Sequence, residues 1–230
     1  MTRTAILAAC LLAAAAPAAA AERNFSVTSF DRIRVEGPYK VTLSTGVAPF
    51  AKGIGSTAGL DRLSVSVTGR TLVVKANTSF WGGAPGQATG PVEVVLGTHD
   101  LSSAWLNGSG SLTIDRIKGL SFDLGMQGSG SIAVGSASVD QLKVAVSGVG
   151  SVTVAGSAPK LVATVRGTSS LDAGELQTKD VTVSAEGPST VKIAASNTAK
   201  IDARGSAAVE VSGGAACTVN AHGSAAVSGC

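Results

Sequence analysis

One unit recurs through the second half of this 230-residue chain, and it leaves few folds open. It reads Asn107-Gly-Ser-Gly-Ser-Leu-Thr-Ile, Gln127-Gly-Ser-Gly-Ser-Ile-Ala-Val, Ser147-Gly-Val-Gly-Ser-Val-Thr-Val and Arg166-Gly-Thr-Ser-Ser-Leu-Asp-Ala, then continues in looser form from Glu186, Arg204 and His222. The marker glycines Gly108, Gly128, Gly148, Gly167, Gly187, Gly205 and Gly223 stand 20, 20, 19, 20, 18 and 18 residues apart. Such a period, with no helical spacing inside it, points to a solenoid of short strands.

Counting from each marker shows which residues face inward. Four residues after it stand Leu112, Ile132, Val152, Leu171, Val191, Val209 and Val227, and four before it Ala104, Leu124, Val144, Ala163, Val183, Ile201 and Val219. The positions six before and six after are also mostly apolar, so each unit holds two strands of alternating pattern joined at a glycine and serine turn. The chain is therefore expected to be all-β, a right-handed parallel β-helix of about 18–20 residues per coil. At about 4.8 Å per coil, seven coils would make a rod about 34 Å long.

The turn chemistry agrees. Two residues after each marker lie Gly110, Gly130, Gly150, Ser169, Ser189, Ala207 and Ala225, all tiny, as a tight corner repeated in every coil requires. The next serines, Ser111, Ser131, Ser151 and Ser170, are expected to hydrogen-bond backbone groups at the corner. Outward rows carry alternating charge, with Arg166, Glu186 and Arg204 in one and Asp172, Lys192 and Glu210 in another. Like charges stacked at strand spacing repel, so these rows read as devices that hold adjacent coils in register.

Toward the N-terminus the pattern loosens. Phe30, Ile33 and Val35 lead through Gly37 to Tyr39, Val41 and Leu43; Leu63, Val65 and Val67 lead through Gly69 to Leu72 and Val74; Val92, Val94 and Leu96 run into the array. Residues 48–58 and 76–91 read as long loops. The expectation is one domain over 22–230, with irregular coils or a cap in 22–100 and the regular array in 101–230.

Composition fits a narrow core and excludes other classes. Only 3% of residues are aromatic, so Val, Leu, Ile and Ala must fill the interior, and 14% charge is too sparse for a coiled coil or a charged disordered tail. The net charge of +3 comes without a basic run, so nucleic acid has no electrostatic footprint. Residues 1–21 read as a secretory signal: basic Arg3, an uncharged apolar stretch from Ala5 to Ala16, then Pro17 and a run of alanines before Glu22. That stretch is too short for a mature transmembrane helix. Leu7-Ala8-Ala9-Cys10 also resembles a lipoprotein cleavage box, which would leave Cys10 lipidated. With Cys10 removed, Cys217 and Cys230 are an even pair for an oxidising compartment, placed to staple the last coil through a disulfide.

The segments Phe30-Asp-Arg-Ile-Arg-Val-Glu-Gly-Pro-Tyr-Lys-Val-Thr-Leu and Asp61-Arg-Leu-Ser-Val-Ser-Val-Thr-Gly-Arg-Thr-Leu-Val-Val, with the serial Gly-Ser turns, resemble the auto-transporter adhesin family with the head GIN domain. The resemblance spans about Asn24 to Cys230 and implies a secreted bacterial β-helical protein without established catalytic residues. The last four corners depart from it by lacking a second glycine, and no translocator barrel or membrane anchor is recognisable, which counts against true autotransport. The exported chain is expected in the periplasm or on the outer surface of a Gram-negative cell.

Motifs for chemistry are missing. No glycine run continues into the Lys-Ser/Thr of a phosphate loop, no Gly-x-Ser-x-Gly elbow occurs, and acids and the two histidines, His99 and His222, are scattered, so no cofactor or metal is expected. A polysaccharide-cleaving β-helix is the enzymatic alternative, but Asp172 and Glu210 lie two coils apart, about 9.6 Å by strand spacing, with Lys192 placed to neutralise both. A scaffold for another envelope protein is a third reading. For binding, the candidates are Phe80 and Trp81, which either present a platform to a glycan or envelope protein or fold back to cap the helix, and Trp105 on an outward row.

Overall fold

A computed structural model describes residues 20–77 and 90–230. The described residues are all-β apart from one short helix and wind into a parallel β-solenoid of about six turns with a less regular N-terminal region. Its N-terminal elements are β1 (Ala21–Phe25), β2 (Arg32–Glu36), β3 (Lys40–Thr45), β4 (Phe50–Gly55), α1 (Thr57–Asp61), β5 (Leu63–Thr68), β6 (Thr71–Ala76) and β7 (Glu93–Thr98). The array follows as β8 (Ser103–Gly108), β9 (Ser111–Gly128), β10 (Ser131–Gly148), β11 (Ser151–Ser157), β12 (Lys160–Gly167), β13 (Ser170–Glu186), β14 (Thr190–Gly205), β15 (Ala208–Ser212), β16 (Ala216–Gly223) and β17 (Ala226–Ser228).

The inward ladders pair as the period requires. Leu112 stacks on Ile132, Ile132 on Val152, Val152 on Leu171, Leu171 on Val191, and Val191 on Val209. Each of these side chains is at most 2% exposed. The coil has a third, short side that two-strand periodicity does not reveal. Ile117 stacks on Ala137, Gly156 on Leu176, and Thr178 on Ala195, and Ile117, Ala137, Leu176 and Ala195 are all buried. Register shifts break the pairing there, which blurs the alternation a strand would show in sequence.

Two corner types explain why the second glycine disappears along the stack. At Gly108, Gly128 and Gly148 the marker has φ near +120°, at +122°, +118° and +116°. There the next-but-one residue lies so close to the preceding coil that a Cβ at Gly130 would sit 2.5 Å from the Gly110 carbonyl oxygen and 2.8 Å from the Leu106 side chain. At Gly167, Gly187, Gly205 and Gly223 φ falls to +85°, +86°, +77° and +79°, and buried Ser169, Ser189 and Ala207 fill the equivalent place. The core residue two before the marker shrinks in step, from Leu106 and Met126 to Ala185 and Ala203. Gly130 and Gly150 leave room for the Leu106 and Met126 side chains of the preceding coil, and the smaller core residues that follow leave room for a Cβ at the later corners. The backbone amides of Ser111, Ser131, Ser151 and Ser170, not their hydroxyls, hold the corner, each donating to a carbonyl of the coil before it.

The charged rows come into register, with one rearrangement. Arg166 stacks beside Glu186 and Glu186 beside Arg204. Arg166 Nε lies 3.5 Å from Glu186 Oε2, whereas Arg204 grips Asp202 of its own strand through Nε and Nη2 at 2.8 and 3.0 Å, which raises its pKa further above the ordinary value. In the second row Lys192 pairs with Glu210 at 3.9 Å, while Asp172 turns to accept the Gly174 amide at 3.1 Å. Glu186→Lys would set a third cation between Arg166 and Arg204. The expected cost is about 1 kcal/mol at low salt, because these side chains are exposed, and it should fade at high salt; thermal melts at both salt concentrations check it.

The N-terminal coils do not stack in chain order. Strand β2 lies between β6 and β8, and β3 lies between β7 and β9, so the first coil formed by sequence is the second layer in space. Beyond it β7 pairs antiparallel with β4, β4 with β1, and β6 with β5. Antiparallel strands thus terminate the parallel stack at this end. Ser56 caps α1 by accepting the Gly59 amide at 3.0 Å, and Leu60, Phe25 and Leu63 close over Gly53, where a Cβ would meet them at 2.9–3.2 Å. At the other end Cys217 and Cys230 form a disulfide that joins the start of β16 to the residue pair after β17.

Candidate functional site

Trp105 stands on the outer face of β8, flanked in register by Arg34 of β2 and Gly125 of β9. Its inward neighbours, Ala104 and Leu106, are fully buried, which fixes the strand and points the indole outward. A Cβ on Gly125 would collide with indole atoms Cε3, Cζ3 and Cδ2, so the six-membered ring is seated on the Gly125 backbone. One side of the ring is packed on the sheet while the residue keeps 41% of its surface exposed. Gly125 lies outside the marker positions, 20 residues after Trp105, and an off-pattern glycine one period downstream of an aromatic is the sequence signal for such a seat.

Two hollows adjoin this indole. The larger, about 530 Å³, is lined by Arg32, Arg34, Thr71, Ser103, Trp105 and Asp123, among others. The smaller, about 280 Å³, runs the other way over Ala145 to Val162 and Thr164. Cations dominate the larger one. Arg32 and Arg34 both face out, since Ile33 and Val35 between and beside them are buried. Asp123 is matched by Lys143 at 3.8 Å. The volume is within the range of small-ligand sites.

Phe80 and Trp81 lie outside the described residues. A second exposed ring, Phe50, covers Gly97 beside exposed Val47 near the capped end. A shallow trough of about 390 Å³ follows the corners between the hydroxyls of Ser109 and Ser129 and those of Ser111, Ser131 and Ser151. Among the described residues no cluster of His, Cys, Asp or Glu could hold a metal, and no helix is long and apolar enough to cross a membrane.

Fold and surface together define a capped β-solenoid that offers a seated aromatic beside a ligand-sized hollow. The chain belongs to the family described as "putative auto-transporter adhesin, head GIN domain", whose model matches residues 29–215. Among solved structures it is similar to a protein described as a putative adhesin from Bacteroides fragilis, with TM-score 0.78, 18% identity, and coverage of 90% of this chain and 95% of that one. A protein described as a putative lipid binding protein from Parabacteroides distasonis aligns with TM-score 0.73, 17% identity, and coverage of 91% and 96%. A putative adhesin from Parabacteroides merdae aligns with TM-score 0.65, 13% identity, and coverage of 91% and 95%. No curated protein matches the chain.

Proposed function

We propose that this chain is an exported, non-enzymatic, adhesin-like binding protein of the bacterial envelope, and that the Trp105 face takes a surface glycan. The observation that carries this reading is the indole seated on Gly125 with its other surface open beside a hollow of about 530 Å³. A sugar ring presents C–H groups on one face, which stack on such a held aromatic at little conformational cost. Phe80 and Trp81 are proposed as a second aromatic contribution from the segment before β7.

Trp105→Ala is expected to weaken glycan binding by about tenfold or more while the folded circular dichroism spectrum is retained, because the indole packs on the outer face of the sheet and Ala104 and Leu106 fill the core beneath it. Isothermal titration against oligosaccharides first selected on a glycan array measures it. Unchanged affinity in the variant would remove this face from the function. Binding to lipid vesicles in place of glycans would shift the reading toward the chemistry named for the Parabacteroides distasonis relative.

A further inference from the structure

We infer that the Trp105 site selects acidic saccharides, with Arg32 and Arg34 taking the carboxylate of a uronic acid residue whose ring stacks on the indole. The inference rests on the reading of Trp105 as the sugar platform and adds the class of sugar.

Arg32 and Arg34 are two residues apart on β2, so their side chains emerge on the same outer face. The parallel register puts Arg34 directly beside Trp105 and Arg32 beside Ser103, so both guanidinium groups overhang one rim of the hollow while the indole closes another. Neither cation is consumed by a tight partner. Arg34 Nη1 reaches Glu36 Oε1 only at 3.9 Å and its side chain keeps 54% exposure, and Arg32 has no ion pair among the described residues. The one carboxylate lining the hollow, Asp123, faces Lys143. Thr71, Ser102, Ser103 and Ser121 complete the rim with hydroxyls suited to sugar oxygens; Ser102 donates its own to the Asp31 carbonyl at 3.0 Å.

This placement distinguishes the site from a generic cationic surface. A guanidinium fork binds a carboxylate through two parallel hydrogen bonds, and a ring stacked on Trp105 would carry a C5 carboxylate at its edge, toward the neighbouring strand where Arg34 stands. A neutral sugar would keep the stacking but leave both arginines to water. The site therefore gains its discrimination from charge and its grip from the ring.

The test is titration of the purified protein with a short galacturonic acid oligomer, the neutral galactose oligomer of equal length, and sodium sulfate. The galacturonic oligomer is expected to bind at least about tenfold more tightly than the neutral one, with Arg32→Gln/Arg34→Gln removing that difference and Trp105→Ala weakening both. Circular dichroism confirms the fold of each variant, all three positions being exposed. Equal affinity for both oligomers, unaltered in the arginine variant, would overturn the inference and leave the glycan reading standing. Binding of neither oligomer would overturn the inference, while the glycan reading stands or falls by the array-selected oligosaccharides. Competition by sulfate at the concentration of the acidic oligomer would also overturn it, because charge without a sugar would then suffice.

Discussion

Gly128→Ala should destabilise the solenoid by about 4 kcal/mol or abolish folding, whereas Gly46→Ala should cost about 1–2 kcal/mol. Both glycines have positive φ, +118° and +75° respectively, so an L side chain is disfavoured at each. They differ in what surrounds them. A Cβ on Gly128 would lie 2.5 Å from the Gly108 carbonyl oxygen, and that oxygen accepts the Ser129 amide at 3.0 Å in the corner bond between coils. Nothing lies within 4 Å of the equivalent point on Gly46. The clash at Gly128 is with backbone, which can move only by separating two coils, and separation breaks the ladders on either side. Chemical denaturation of the two variants side by side checks this. Equal costs would mean that backbone conformation alone, and not the close stacking of corners, accounts for the repeated glycine.

Breaking the Cys217–Cys230 disulfide should lower the stability of the last coil by about 2–4 kcal/mol and leave the rest of the array nearly unaffected. The bridge spans a separation of 13 residues, and its loss frees residues 213–230 to open. In a solenoid each coil is held mainly by its neighbours, so the terminal coil, with one neighbour, opens first. Its core is thin: Val219 is 39% exposed where Val144 and Val183, its counterparts inside the array, are 3% and 1%. Hydrogen exchange on Cys217→Ser/Cys230→Ser should therefore show faster exchange confined to β16 and β17. A uniform loss of protection along the chain would show instead that this end nucleates the whole stack.

The row Leu112, Ile132, Val152, Leu171, Val191 and Val209 was readable because a parallel solenoid places residues one period apart in direct contact, turning sequence spacing into spatial adjacency. Arg166 beside Glu186 followed from the same rule. The rule reaches backbone register and stops there. It did not anticipate that Arg204 would turn to Asp202, because a long side chain chooses among partners within its reach. It did not order β2 and β3 between the strands of later coils, since apolar alternation says that a segment can stack but not on which layer. It also passed over the third side of each coil, where bulges interrupt the period.

At the candidate site Trp105 faces outward, as its row predicts, but its significance lies in partners drawn from two other stretches of chain. Gly125 is one period away and visible in hindsight as a glycine off the marker row; Arg34 lies 71 residues earlier and reaches the indole only because β2 is inserted next to β8. The all-β solenoid, the coil length, the inward rows and the pairing of Cys217 with Cys230 are legible in the order of residues, because each depends on a period that local spacing carries. Tertiary structure alone decided the layer order at the capped end, the exchange of volume between corner and core, and the meeting of Arg32, Arg34 and Trp105 around one hollow. Those depend on contacts between segments whose separation in the chain bears no relation to the repeat.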